Sequence, residues 1–485
     1  MSFASIPFFV FLLLVFFLHY ARPGRRWQNG VLLGASYFFY GWWDYRFCFL
    51  MGASSLVDYY AGLWIDREPD LARRKRILVA ALGANLAVLG VFKYFNFFAD
   101  SLAIVASTLG LDLNLTTLRI LLPVGISFYT FQTMSYTIDI YRGKFRPRHD
   151  VIEYLAFVSF FPQLVAGPIE RATSLLPQFH TARAFSPADA REGGRLILWG
   201  LAKKMVLADN LGALVSNAYT APAAVTAAEL ALATVAFAFQ IYCDFSAYSD
   251  IAVGTAKLFG IRLTRNFAYP YFSQSISEFW RRWHISLSSW LRDYVFIPLG
   301  GSRAAPPRVA RNLLLTALVS GLWHGAAWHF VFWGALHGVY LVAERMLGKG
   351  RRKAAYPETP GGERLIPGLP TLLRMGFTFL LVCLGWVLFR ADNLGDAVHI
   401  YQRIAQGLLT SEFYAGLVAV AAQDRLTLVP LAVFIGVEWI SRRNWNALAV
   451  IRAPGFVRWA TYTALFWAVV ILGTRRTEEF IYFRF

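Results

Sequence analysis

The residues best suited to chemistry lie in two blocks of this 485-residue chain, each built around a histidine. His324 lies in the segment Gly321-Leu-Trp-His-Gly325, and His284 ends the segment Trp280-Arg-Arg-Trp-His284. Ionisable groups at membrane depth are costly and mark function by default. An imidazole, with an unperturbed pKa of about 6.5, can take up a proton near neutrality. The sequence therefore predicts proton abstraction by His324.

The upstream block has the pattern of an amphipathic helix. Ser275 and Glu278 have capping-box spacing, and the apolar positions that follow recur at helical intervals up to Pro298. Arg281, Arg282 and Arg292 fall largely on other faces. The block is typical of a helix in the plane of the membrane interface, or of a basic entrance that attracts an anionic ligand and directs His284 inward.

Two further histidines, His329 and His337, follow His324. On one continuous helix they would be rotated from His324 by about 140° and about 220°, so the three rings would not converge. The sequence predicts no metal site, because no acidic residue is nearby before Glu344. His329 and His337 are expected to pack between helices or to line a pore.

The composition indicates a polytopic α-helical membrane protein. Hydrophobic residues make up 57% of the chain and charged residues only 16%, against about 25% charged residues in soluble domains. The net charge of +18 does not indicate nucleic-acid binding, because the basic residues lie in short loops between apolar runs, as cytoplasmic loops require.

Five apolar runs precede residue 150, and the loops between them alternate in charge. Loops one, three and five are basic, which predicts an external N-terminus and places those loops in the cytoplasm. The predicted spans are 6–20, 27–41, 46–65, 77–98 and 118–140.

Two later apolar runs are interrupted by polar or helix-breaking residues. Run 151–167 contains Pro162, and the basic stretch that follows predicts a re-entrant segment. Run 230–259 is too long for one simple helix and contains Cys243-Asp-Phe-Ser246. Because broken backbone at membrane depth must be buried in protein or line a cavity, Gln163 and Asp244 are expected in a cavity wall.

The rest of the chain predicts further spans around one flexible loop. Residues 346–370 are rich in Gly, Pro and charge. We predict one integral-membrane domain, 1–485, divided into N-terminal helices (6–150), a catalytic core (151–345), that loop, and C-terminal helices (371–485). Spans are expected at 196–217, 230–259, 312–345 (two short helices, or one helix and a half-helix), 371–390, 426–440 and 456–473.

Motifs spread along nearly the whole chain resemble the membrane-bound O-acyltransferase family, in its bacterial branch that O-acetylates alginate-like exopolysaccharides. Besides the two histidine blocks, they are Tyr37-Phe-Phe-Tyr-Gly-Trp-Trp43, Gly125-Ile-Ser-Phe-Tyr-Thr-Phe-Gln132, Phe160-Phe-Pro-Gln-Leu-Val-Ala-Gly-Pro-Ile-Glu-Arg171, Tyr242-Cys-Asp-Phe-Ser-Ala-Tyr-Ser-Asp250 and Phe480-Ile-Tyr-Phe-Arg-Phe485.

The resemblance implies an all-α fold of about 11–13 transmembrane or re-entrant helices around a central funnel, in the bacterial inner membrane. It implies that His324 is the essential histidine and His284 the second active-site histidine. No bound cofactor is expected; acetyl-CoA or another acyl thioester would be the donor substrate. The lipid bilayer and periplasmic acetyltransferase or polysaccharide-synthesis proteins would be partners.

Given this resemblance, we expect the remaining candidate site residues to contact the donor or the substrate. The three arginines of the upstream block would hold donor phosphates. The full set of these candidates is Arg281, Arg282, Trp283, Arg292, Asp293, Trp323, Gln163 and Asp244.

Three alternatives stay open at the level of the sequence. The same chemistry could serve peptidoglycan or cellulose. The histidines could form the proton relay of a polysaccharide-precursor transporter, although no inverted repeat is visible. The chain could also be a scaffold of a secretion complex, in which neither histidine would matter.

Overall fold

The computed structural model describes residues 1–111, 122–348, 364–444, 448, 454–474 and 480–481. Within these residues the regular secondary structure is helical. The first nine helices are α1 Ile6–Tyr20, α2 Arg25–Asp44, α3 Arg46–Arg67, α4 Leu71–Leu89, α5 Phe95–Thr108, α6 Ile126–Tyr141, α7 Val151–Ser159, α8 Phe161–Leu164 and α9 Ala172–Leu175.

Twelve more helices complete the described chain. They are α10 Pro187–Leu201, α11 Asp209–Tyr219, α12 Ala227–Leu258, α13 Ile276–Arg282, α14 Ile285–Leu291, α15 Pro306–His324, α16 Trp328–Met346, α17 Leu369–Arg390, α18 Leu394–Gly407, α19 Ser411–Gln423, α20 Arg425–Ser441 and α21 Gly455–Leu472. Wider π-helical turns lie at Gly90–Tyr94, Ala202–Ala208 and Arg292–Phe296.

The N-terminal helices follow the predicted spans closely. Helices α1, α2 and α3 cover runs 6–20, 27–41 and 46–65, and run 77–98 lies within the joined helices α4 and α5. The fifth run begins as a helix only at Ile126, and residues 112–121 lie outside the described residues. Apolar run length is thus sufficient to locate these helices.

Run 151–167 is broken, as its proline predicts. Helix α7 ends at Ser159, Phe160 adopts φ −47° and ψ 105°, and α8 restarts with Pro162 in its first turn. The break leaves the Phe161 N–H without a helical acceptor, and the Ser36 hydroxyl accepts it at 3.0 Å. A side chain thus satisfies the backbone group that the break exposes.

The predicted interruption of run 230–259 is wrong, because α12 is one helix of 32 residues. Its polar residues find partners without breaking the backbone. The Lys203 ammonium donates to the Ser246 hydroxyl at 2.8 Å and pairs with Asp250 at 2.7 Å. Lys204 pairs with Asp244 at 2.9 Å. Ion pairs between side chains therefore accommodate the polar residues of α12, and no break in the helix is needed.

The described residues contain four helices long and apolar enough to cross a membrane: Leu71–Thr108, Ala227–Leu258, Leu369–Arg390 and Gly455–Leu472. Helices α18 and α19 together also reach that length and composition, but they are bent by 109° at their junction. The apolar runs of the sequence predict no span there. Residues 349–363 of the predicted flexible loop, and residues 482–485 of the terminal aromatic motif, lie outside the described residues.

The chain forms two compact units. The first comprises Met1–Gly193 and Ala252–Thr264, and the second comprises Gly194–Ile251 and Arg265–Phe485. Both histidine blocks belong to the second unit, and the contacts of the two histidines described below lie within it.

Candidate active site

His324 is the last residue of α15, at the tight turn into α16. Helix α15 begins at Pro306, whose missing N–H costs nothing at a first helical position. Glycines bring α15 and α16 together: a Cβ at Gly321 would collide with the Phe330 backbone, and one at Gly334 with the Ala317 carbonyl. Small residues permit such close backbone approach, and the approach fixes the position of His324.

The His324 ring is buried inside an aromatic enclosure. Its centroid lies 4.9 Å from that of Trp333, 5.0 Å from that of Trp323 and 5.3 Å from that of Phe389, each approached nearly edge-on. The side chain is only 3% exposed. Water is therefore largely excluded from a group that can accept a proton, and exclusion of water strengthens electrostatic effects on a reacting group.

His284 lies at a sharp break in the upstream block, so the single helix predicted there is wrong. Helix α13 ends at Arg282 and α14 begins at Ile285, with His284 between them at φ +43°. Asn266 holds this break: its carbonyl accepts from the Ile285 N–H at 2.9 Å, and its side-chain oxygen accepts from Ser286. A left-handed non-glycine residue costs about 1–3 kcal/mol and is concentrated at functional sites.

The break turns the His284 ring towards His324. The two ring centroids are 6.4 Å apart, and Trp323 lies beside both, 5.5 Å from His284. Phe245 covers His284 edge-on at 4.6 Å. His284 lies outside the membrane-spanning helices, and burial lowers its pKa to about 3. The ring is therefore neutral near pH 7, with one N–H donor and one acceptor nitrogen.

The arginines of the block have different surroundings. The Ser275 cap forms as predicted: its hydroxyl accepts the Glu278 N–H at 3.2 Å. The Glu278 carboxylate then holds the buried Arg282 at 2.9 Å. Arg281 is exposed, and Arg292 is exposed and paired with Asp293 at 2.8 Å. Arg281 and Arg292 are thus accessible to an anionic ligand, whereas Arg282 is committed to an ion pair inside the protein.

Of the predicted tryptophans, Trp323 lies between the two histidines and Trp283 one aromatic layer away. Trp283 is 1% exposed and packs on Trp386, with ring centroids 5.0 Å apart. Trp386 in turn stacks on Trp333 at 6.0 Å. Trp283 therefore supports the aromatic enclosure of His324 from behind.

Asp244 and Gln163 are occupied by other partners. Asp244 pairs with Lys204 and accepts the backbone N–H of Ile481 at 2.8 Å. Gln163, in the first unit, donates to the Phe157 carbonyl at 3.0 Å and to the Gln132 side chain at 3.1 Å. Both side chains are tied to the protein by hydrogen bonds or ion pairs.

Sequence reasoning missed the residues that complete the enclosure, among them Trp333 and Phe389. Spacing could have indicated one face: His329, Trp333 and His337 recur every four residues on α16. The rotation angles from His324 do not apply, because the turn at Gly325–Ala327 separates the two helices. His329 points elsewhere, with its Nδ1 3.0 Å from the Leu388 carbonyl.

Comparison with known proteins decides the family. Residues 144–368 match the model of the membrane-bound O-acyltransferase family, a range that includes both histidines. The chain is 42% identical to the probable alginate O-acetylase of Pseudomonas aeruginosa, over 83% of this chain and 74% of that protein. The chain belongs to the membrane-bound O-acyltransferase family.

Other relatives act on different polymers, by their names. The chain is 34% identical to the peptidoglycan O-acetyltransferase of Helicobacter pylori, over 82% of this chain and 78% of that protein. It is 28% identical to the teichoic acid D-alanyltransferase of Bacillus subtilis, over 55% of this chain and 68% of that protein. Family membership makes the chain an acyltransferase and a multi-pass, all-α membrane protein, which excludes a pure transporter or scaffold.

Proposed function

We propose that this chain transfers an acetyl group from acetyl-CoA on the cytoplasmic side of the bacterial inner membrane, for O-acetylation of an alginate-like exopolysaccharide. His324 acts as general base. It takes the proton of an acceptor hydroxyl while the hydroxyl oxygen bonds to the thioester carbonyl carbon. The tetrahedral intermediate then expels the CoA thiolate, which receives the proton from His324. General-base assistance contributes about 10²–10⁴-fold to such a step.

The observation that carries this proposal is the pairing of His324 with His284 inside one aromatic enclosure. The rings are 6.4 Å apart, and both side chains are buried. One reacting group that enters this enclosure would therefore lie near both rings. The left-handed backbone at His284 supports a functional role, because strain of this kind persists only where the surrounding structure enforces it.

Donor binding is expected at the two exposed arginines. Arg281 and Arg292 would hold the phosphates of acetyl-CoA, since charged guanidinium groups bind phosphate oxygens strongly. Arg282 is engaged by Glu278 and would instead keep α13 in place. Replacing Arg281 by Gln should raise KM for acetyl-CoA and leave kcat nearly unchanged, because it removes binding that is equal in the ground and transition states.

The acceptor is assigned from the relatives. The identity to the alginate O-acetylase is higher than that to the peptidoglycan enzyme, 42% against 34%. The polymer lies outside the inner membrane, so a periplasmic acetyltransferase or polysaccharide-synthesis protein would receive the acetyl group or present the polymer. Peptidoglycan and cellulose are the competing acceptors for the same chemistry.

The test is transfer of radiolabelled acetyl from acetyl-CoA in membranes that contain matched amounts of wild-type or variant chain. Candidate periplasmic partners and the three polymers are added in turn. His324→Ala should abolish labelling, and His284→Ala should reduce it. His329→Ala is the matched control: this histidine lies in the same block but its Nδ1 is engaged at the Leu388 carbonyl, so labelling should persist. Equal labelling by wild type and His324→Ala would exclude His324 as the base.

A further inference from the structure

Trp333 and His337 carry polar nitrogens that the proposed base chemistry does not use. They lie one turn apart on α16, with ring centroids 4.9 Å from each other. Trp333 is 0% exposed and His337 is 1% exposed. Neither the Trp333 Nε1 nor either ring nitrogen of His337 has a hydrogen-bond partner among the described residues.

Such unpartnered nitrogens require an explanation. A buried donor or acceptor left without a partner costs about 1–3 kcal/mol, and native structures contain few of them. The neighbouring Trp386, whose ring stacks on that of Trp333, is satisfied, since its N–H donates to the Tyr271 hydroxyl at 3.2 Å. Trp333 and His337 therefore differ from the adjacent Trp386 in having polar nitrogens that the described residues leave unused.

Gly385 on α17 faces both groups. A Cβ at this position would lie 2.8 Å from the His337 Nε2 and 3.5 Å from the Trp333 Nε1. The two nitrogens therefore converge on the same part of α17, where the chain has the smallest possible residue. On the same helix, a Cβ at Gly376 would have no neighbour within 4 Å, so close approach is specific to Gly385.

The ring of Trp333 also contacts the base. Its centroid is 4.9 Å from that of His324 and 4.9 Å from that of His337, so this one indole contacts both the base and His337. An indole N–H can only donate, which excludes a metal ion as the group bound there. With the proton of His337 on Nε2, two donors converge on one acceptor, the arrangement that stabilises a carbonyl oxygen as negative charge develops on it.

We propose that Trp333 and His337, whose positions depend on their close approach to Gly385, bind the carbonyl oxygen of the acyl thioester and stabilise its oxyanion. This inference rests on the proposed acetyl transfer. As the acceptor oxygen bonds to the carbonyl carbon, the π electron pair moves onto the carbonyl oxygen, between the Trp333 and His337 N–H groups. The pair returns when the carbon–sulfur bond breaks and the thiolate leaves. Trp333 and His337 change no protonation state in this step.

The experiment compares acetyl transfer by the full-length chain with its binding of S-ethyl-CoA, a thioether without the carbonyl oxygen. Trp333→Phe and His337→Phe should each lower kcat about 10²–10³-fold, the usual effect of losing one oxyanion donor. Binding of S-ethyl-CoA should change less than threefold, because this probe lacks the oxygen that the two groups hold. Gly385→Ala should lower kcat as well.

Two matched controls use the same substitutions at other places. Trp439→Phe removes an indole whose N–H already donates to the Leu365 carbonyl at 2.8 Å, and Gly376→Ala adds a methyl group to α17 in open space. Both should keep kcat within about tenfold of wild type, well short of the loss expected for an oxyanion donor.

Two results would overturn the oxyanion site while leaving the proposed function intact. In the first result, the wild-type chain transfers acetyl and the Trp333→Phe chain has the same kcat. The two residues would then bind an ordered water rather than the carbonyl oxygen. The other result is an equal loss of transfer and of S-ethyl-CoA binding, which would make the two residues a packing element. A wild-type chain that transfers no acetyl group with any partner would instead contradict the proposed function itself.

Discussion

Two groups of buried polar side chains lie among the apolar helices, and they differ in how well they are satisfied. In the first unit, the Asp58 carboxylate accepts from Asn85 at 2.8 Å and from Thr137 at 2.6 Å, while Ser54 donates to Asn85 at 3.2 Å. We call these four residues the Asp58 cluster. In the second unit, Trp333 and His337 carry nitrogens without a partner among the described residues.

We interpret this difference as one between a structural role for the Asp58 cluster and a functional role for Trp333 and His337. Hydrogen-bonded polar groups inside the Asp58 cluster hold three helices, α3, α4 and α6, in register. Nitrogens without a partner add no hydrogen-bond stability to the free protein, and each requires an explanation such as a bound ligand or an ordered water. Burial alone therefore does not identify a site, since Asp58 is 0% exposed and His337 is 1% exposed.

The largest effect on activity is expected at His324. His324→Ala should reduce acetyl transfer by at least about 10²–10⁴-fold, and should lower the midpoint of thermal unfolding in detergent less than Lys204→Met does. The midpoint and the rate are measured on the same preparations. If His324→Ala unfolds as readily as Lys204→Met, His324 contributes to stability as the ion-paired residues do. The distinction between satisfied and unsatisfied polar groups would then be lost.

Lys204 tests what decides the effect of replacing a buried polar residue: its ion pairs and hydrogen bonds, or the unit of the chain to which it belongs. It belongs to the second unit, as the histidines do, but pairs with Asp209 at 2.8 Å and with Asp244 at 2.9 Å. Lys204→Met removes the cation that bridges two buried carboxylates and should lower the free energy of unfolding by about 3–5 kcal/mol. Lys203→Met, whose partner Asp250 is 30% exposed, should cost less; equal losses would contradict this account.

Asp58→Leu should destabilise the chain without impairing catalysis by the molecules that stay folded. Asn85 and Thr137 each lose an acceptor, at about 1–3 kcal/mol for each group left unsatisfied. Thermal unfolding gives the loss, and the transfer rate per folded molecule should match wild type. A decrease in that rate at unchanged stability would place Asp58 among the functional groups.

The smallest effect is expected at Ser54. Ser54→Ala removes one donor to the Asn85 side chain, and the Asn85 amide keeps its bonds to Asp58 and to the Ala81 carbonyl. A typical net hydrogen-bond contribution predicts a loss of about 0.5–1.5 kcal/mol. A loss as large as that of Asp58→Leu would show that the cluster behaves as one cooperative unit.

Local sequence patterns predicted much of the fold. Helices α1, α2 and α3 follow from apolar run length, the break in run 151–167 follows from Pro162, and the cap at Ser275 follows from Glu278 three residues later. Each depends on residues within a few positions of one another. The predicted loop 346–370 falls mostly on residues outside those described, so it stays a prediction.

Predictions that depended on distant partners were wrong. Helix α12 stays continuous because Lys203 and Lys204, some 40 residues earlier in the chain, neutralise its acidic residues. The helix of the upstream block breaks at His284 because Asn266 supplies the hydrogen bonds for a left-handed turn. Helices α18 and α19 were missed because their bend divides one apolar length into two short helices.

The sequence by itself determined the family chemistry: an apolar helical chain with His284 and His324 in two specific motifs. Only the tertiary structure decided which groups meet those histidines, and that Trp333 and His337 converge on Gly385. The physical reason is that helix formation and capping are local, whereas hydrogen-bond satisfaction depends on residues that folding alone brings together.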